Sequence, residues 1–258
     1  MSQYLNLLAV MALAIGLSTV VGAAAGLLLR RVHHRYHDMI LGAAAGIMLA
    51  AAVLGLIMPA AEMKIPGALW MTVLGTACGA LLISVLDRIT PHLHHIAGLD
   101  HAPEERHAAS GSMSKTLLFI SAIAIHKIPE GLAAGISFGT EDLSDILMVS
   151  GSIALQNVPE AMVIIVPLLA IGVSVKRTLL ISAGIGMISM VSTVAGFGMV
   201  AVMQGFLPLI LAVAGGAMLY VVSDEMIPET HAHGNEKPAT FALIAGFMLI
   251  VIFQQVLP

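Results

Sequence analysis

Charge is scarce in this sequence. Only 10% of its 258 residues are Asp, Glu, Lys or Arg, while 59% are hydrophobic; a soluble domain carries about a quarter charged residues. That deficit excludes an ordinary water-soluble globule and points to a bilayer as solvent. Cysteine is almost missing too. The single Cys78 rules out a disulfide framework within the chain, and its Gly/Ala/Leu surroundings make it a packing residue. Aromatics reach only 4%, little material for a chromophore pocket. The first twenty-nine residues are apolar yet lack the basic start of a secretory leader, so they read as a first span and not as a cleaved signal. No repeat of solenoid period is present.

What is abundant is uninterrupted apolar sequence. A helical span needs about 20 mostly apolar residues, and such runs occupy 4–29, 39–61, 66–86, 117–138, 147–173, 179–203, 206–227 and 240–257. The expected fold is therefore an all-α membrane protein of eight transmembrane helices, with 1–258 forming a single transmembrane domain in a lipid bilayer and no nucleic-acid partner. Positive charge orients it. Arg30, Arg31 and Arg35 follow the first span, Arg88, Arg106 and Lys115 the third, Lys176 and Arg177 the fifth, and Lys237 the seventh. With eight spans all nine fall on one side, which the positive-inside rule makes cytoplasmic. The other side receives Lys64 and an acidic loop over 139–145, and both termini lie outside. A polar, His-bearing loop over 92–114 is expected to be cytoplasmic and mobile.

Four ionisable side chains sit inside the fourth and fifth spans: His126, Lys127, Glu130 and Glu160. A charge at the bilayer centre costs about 2.5–3.5 kcal/mol on insertion scales, so such groups must face one another, water or an ion. His126 and Glu130 are i and i+4 on one helix face, and Gln156 and Glu160 repeat that relation on the next helix. Pro129 and Pro159 stand at matching positions, giving His-Lys-Ile-Pro-Glu-Gly against Gln-Asn-Val-Pro-Glu-Ala. Each proline removes a helical hydrogen bond and loosens the turn, as substrate sites in transporters often require. Two such helices facing each other bring together an imidazole, an amide oxygen and two carboxylates. That set suits zinc, and equally admits iron, manganese, cobalt or cadmium. An internal salt-bridge cluster that only holds helices together is the plainer alternative.

Together with these motifs, three further stretches carry a resemblance: Leu86-Asp87-Arg88 with Pro91-His92 after the third span, the run Gly216-Ala217-Met218-Leu219-Tyr220-Val221-Val222-Ser223-Asp224-Glu225, and Ile227-Pro228-Glu229 in the seventh. Across its whole length the chain resembles the ZIP family of divalent-metal transporters, and most closely its compact prokaryotic, GufA-type branch. The resemblance implies a 3+2+3 arrangement of spans with an inverted repeat, inward transport of Zn2+ as cargo, residence in a bacterial cytoplasmic (inner) membrane, and a homodimer as the assembly to test. It matches His126, Glu130, Gln156 and Glu160 to the primary transport site. Many members hold a second metal beside the first, using an Asn after the helix 4 His, an Asp or Asn after the first helix 5 ligand, and a Glu from helix 6. Here Lys127 replaces that Asn, Ser192 stands at the helix 6 position, and Asn157 alone remains. Lys127, three residues before Glu130, is expected to act as a built-in cation in place of the second metal, or simply to balance two buried acids.

Asp224 and Glu225 match the family's exit-path pair and are candidate release ligands. Ten of the eleven histidines, all except His126, fall on the cytoplasmic side. Among them His94 and His95 are candidates for capturing metal there, against the alternative of ordinary solvated loop residues. An intramembrane metalloprotease would want His-Glu-x-x-His, which is absent, so no enzyme activity is expected. A membrane-embedded metal sensor without transport is the competing function.

Overall fold

The structure, a computed structural model, describes residues 2–29, 34–89, 126–170 and 172–256. The 92–114 loop with His94 and His95, and the first half of the fourth predicted span, lie outside the described residues. What is described is an all-α bundle. Its helices are α1 Ser2–Leu29, α2 His34–Ala52, α3 Ala68–Ile89, α4 over 126–136, α5 Leu143–Ala170, α6 Val175–Val202, α7 Leu207–Val221 and α8 Glu236–Val256. Six described stretches are long and apolar enough to cross a membrane: Tyr4–Leu28, Arg35–Glu62, Ala68–Leu86, Val175–Val202, Gln204–His231 and Glu236–Val256.

The helices overrun the apolar windows at their polar ends. α5 begins at Leu143 because Asp142 caps it: the Ser144 amide donates to Asp142 Oδ1 at 2.8 Å and the Ile146 amide to the Asp142 carbonyl at 3.1 Å. The break between α6 and α7 falls at Met203, whose φ is −119°, and a 3-10 turn over Gln204–Phe206 leads into α7 with Pro208 in its first turn.

Two helices change register near one end. α2 runs into a π turn, Val53–Ile57, and then a last α turn, Met58–Glu62. α7 does the same through Val222–Met226 and Ile227–His231. In each case a proline follows, Pro59 or Pro228, whose ring would collide with the carbonyl four residues back in a regular helix. Widening the turn relieves this: the Met58 amide reaches back to the Val53 carbonyl, and that of Ile227 to Val222. The second of these turns contains Asp224 and Glu225.

Small residues set the packing. A β-carbon at Gly46 would overlap the Leu243 carbonyl, so α2 and α8 run backbone against backbone; Gly79 and Val213 do the same for α3 and α7. α1 packs against both α5 and α6. Gly79→Val is expected to force α3 off α7 and destabilise the fold by about 1–3 kcal/mol. Melting of the purified protein in detergent checks this, and an unchanged midpoint would contradict the close approach. At one end of the bundle the Tyr4 hydroxyl donates to the Glu141 carbonyl at 3.3 Å. At the other, buried Asp38 at the start of α2 joins the α7–α8 connection, accepting from Asn235 Nδ2 at 2.8 Å and lying 3.1 Å from His233 Nδ1.

Candidate metal site

Where α4 meets α5, the side chains at the centre belong to Lys127, Glu130, Asn157 and Glu160. Lys127 is 1% exposed, as is Glu130, and Gln156 and Asn157 are fully buried. An ammonium has three N–H donors and no acceptor, and all three are taken here. Lys127 Nζ donates to Glu130 Oε2 at 2.7 Å, to Asn157 Oδ1 at 2.8 Å, and to Glu160 Oε2. The i, i+3 spacing supplies the first contact; the other two come from the neighbouring helix. Asn157 is itself anchored, since its Nδ2 donates to the Ile15 carbonyl of α1 at 3.2 Å. A buried charge without such partners would cost several kcal/mol, so this pairing is what lets a lysine sit there.

The imidazole of His126 reaches a third helix. Its Nε2 lies 2.9 Å from Glu225 Oε1, in the π turn after α7. As placed, His126, Glu130 and Glu160 do not form a metal group: among the described residues no three His, Cys, Asp or Glu side chains come together to hold an ion. The physical reason is local, because the Lys127 ammonium lies between the two carboxylates. Gln156 is the other side of the matter. Its Oε1 and Nε2 are both buried and have no hydrogen-bond partner among the described residues. Leaving a buried amide unsatisfied costs about 1–3 kcal/mol, and such a group in a native fold calls for a ligand, ion or water. It lies one turn before Glu160, so the donor chemistry of the predicted set fits a divalent cation arriving there.

Ser192 of α6 is buried and lies beside Gly131: a β-carbon on that glycine would come within 2.6 Å of Ser192 Cβ. The chain thus has a hydroxyl-bearing residue against Gly131 and an ammonium against Glu130. Asp224 is exposed and shares the π turn with Glu225. The reach of Glu225 to His126 was missed in the sequence. Its only sequence signal is Pro228, which displaces the preceding turn.

Comparison with known proteins agrees with this chemistry. Residues 87–254 match the family model described as ZIP Zinc transporter. The zinc transporter ZIPB of Bordetella bronchiseptica is 36% identical over 246 residues, covering 93% of this chain and 78% of that protein. The zinc transporter GufA of Myxococcus xanthus is 34% identical, with 73% and 72% covered. The zinc transporter ZupT of Streptococcus mutans is 27% identical, with 98% of each chain covered. Apolar helices of spanning length, a paired His/Gln and Glu/Glu motif on adjacent helices, and these similarities place the chain in the ZIP zinc-transporter family, as a carrier of the compact GufA-type branch.

Proposed function

We propose that this protein carries zinc inward across a membrane through a single-metal site made by His126, Glu130, Gln156 and Glu160, with Lys127 standing in for a second ion. The observation that carries the reading is the Lys127 ammonium bonded at once to Glu130, Glu160 and Asn157. Those are three of the groups a second metal would draw upon. One ammonium and two carboxylates leave one negative charge to attract a dication, and the unpaired Gln156 amide supplies a neutral oxygen. Without thiolates the site binds zinc loosely enough to release it, and it can pass iron, manganese, cobalt or cadmium as well.

Zinc leaves past Asp224 and Glu225, and His94 and His95 collect it on the cytoplasmic side. Eight spans in a 3+2+3 arrangement are supported by the pairing of helices. Exchanging α1 with α6, α2 with α7, α3 with α8 and α4 with α5 converts the α2–α8 contact into α7–α3, and carries one π turn onto the other. The shared end of Asp38, His233 and Asn235, opposite Tyr4 and Glu141, supports both termini lying outside. A bacterial cytoplasmic membrane is the proposed residence, with a homodimer as assembly. Alternating access then follows from rocking of these helix groups around a fixed site.

The test is zinc flux. Proteoliposomes holding the purified protein should accumulate radioactive zinc down an inward gradient, saturably and with competition by cadmium. Binding without flux would make the protein a membrane metal sensor instead.

A further inference from the structure

We infer that Ser152 is a station on the ion's route: one turn before Gln156 on the same face of α5, its hydroxyl takes the water of a partly hydrated divalent cation on the way to Glu160. This rests on the proposed zinc site and adds to it a residue on the side of Tyr4 and Glu141, the proposed outer end. Hydroxyls in helices ordinarily turn back to their own backbone. Several buried ones here do so. Thr72 donates to the Ala68 carbonyl at 2.8 Å, Ser137 to Ala134 at 2.8 Å, Ser182 to Thr178 at 3.0 Å and Thr193 to Ser189 at 2.8 Å. Ser152 does not. It is fully buried, and its Oγ has no hydrogen-bond partner.

Gln156, in the next turn, is in the same position, with both amide atoms buried and unpartnered. Residues i and i+4 share a helix face with their Cβ atoms about 5–6 Å apart, and Glu160 continues that face one turn on. Two unpartnered polar groups and a carboxylate thus follow one another along α5. The surroundings cannot satisfy them. Val149 and Ile153, on either side of Ser152, belong to an apolar cluster with Ala51 and Ala52 of α2 and Ala133 and Ala134 of α4. A β-carbon at Gly55 would meet Val149 Cγ2 at 2.6 Å, so α2 lies against this part of α5. Between Asp38 and Glu62, α2 and its continuation carry no polar side chain. A buried hydroxyl in such a place calls for a small polar ligand. Water on a cation presents its hydrogens, and the serine oxygen has lone pairs to accept them. Hydroxyl and amide are both neutral, so they hold the ion less firmly than the carboxylates beyond, and it moves on.

The experiment is cysteine labelling with uptake beside it. Cys78→Ala removes the one native thiol, so Ser152→Cys or Ser150→Cys then supplies the single cysteine of the full-length protein. Ser150 is the control: it is equally buried and unpartnered, but lies seven residues before Asn157, on the face anchored to α1. Aminoethyl methanethiosulfonate, a small cation, should label Ser152→Cys at least about tenfold faster than Ser150→Cys, because a thiol reacts only where solvent reaches it. Saturating zinc should slow that labelling. Ser152→Ala should slow initial zinc uptake into proteoliposomes about tenfold, the factor of one lost hydrogen bond, and keep zinc affinity within about threefold by chelator competition. Should the alanine variant fail to elute as folded protein, Ser152→Gly carries the same comparison. The inference is overturned if the two thiols label alike, if saturating zinc does not slow Ser152→Cys, or if Ser152→Ala takes up zinc at the native rate. If Gln156→Ala leaves zinc affinity at its native value, the site reading falls. If Gln156→Ala weakens binding and the Ser152 results fail, only the inference falls.

Discussion

Replacing Glu160 or Glu130 by alanine is expected to lower zinc uptake by more than about a hundredfold, since loss of an outer-shell partner alone commonly costs ten- to a hundredfold in metal affinity. Each carboxylate is both a zinc ligand in the proposed site and a partner of Lys127. Removing either leaves one ammonium against one carboxylate, a neutral pair with no remaining pull on a dication. The two variants should differ in stability, however. Glu130 is 1% exposed whereas the Glu160 side chain retains 17%, so water can replace Glu160 more readily than Glu130. Both should still fold, because Lys127 keeps Asn157 and the surviving glutamate. Uptake into proteoliposomes and melting in detergent, measured side by side, separate the two effects. Native uptake in either variant would contradict the site.

Lys127→Met carries the second large effect. Methionine fits the space but leaves Glu130 and Glu160 facing each other without a cation. Removing one partner of a buried ionic cluster costs about 3–5 kcal/mol, so the metal-free variant should melt far below the native protein. Zinc should then restore much of the loss, because an ion that binds the folded form stabilises it by mass action. The native protein, already carrying its ammonium, should gain less from the same zinc concentration. If metal-free Lys127→Met melts like the native chain, the lysine is not holding the two helices together.

Much of this was legible in the sequence, for stated reasons. Apolar run length placed the described helices to within about five residues, missing by four or five where polar residues extend the helix past the window, at His34, Leu143, Val175, His231 and Glu236. The i, i+3 relation foresaw the Lys127–Glu130 contact, whereas the i, i+4 spacing of His126 with Glu130 and of Gln156 with Glu160 fixes only a shared helix face. What spacing cannot express is which side chain occupies the centre once two helices meet. The third bond of Lys127, to Asn157, and the anchor of Asn157 on the Ile15 carbonyl depend on how α1 lies against α5. The rotation of His126 toward Glu225 depends on a π turn, and a π turn looks like ordinary helix in its residues. Pro59 and Pro228 mark both such turns, four residues after the carbonyl each would strike. The histidine loop over 92–114 stands apart from these comparisons, as it lies outside the described residues.

Helix pairing by glycine matters to function as well as to stability. Gly79 against Val213 and Gly46 against Leu243 bring backbones too close for side-chain adjustment, so α3 with α7, and α2 with α8, pack as tight pairs. Each pair contains one π turn. The Val222–Met226 turn also carries Glu225, whose carboxylate lies 2.9 Å from His126 Nε2, so this pairing reaches the candidate site.

Counting metal ions between α4 and α5 tests the central claim most directly. Crystals of the native protein grown with zinc, and of Lys127→Asn grown alike, should be compared by anomalous diffraction at the zinc edge. The account predicts one ion at this site in the native protein and a second, bridging Glu130 and Glu160 beside Asn157, in the Lys127→Asn variant. Two ions at the site in the native protein would contradict it.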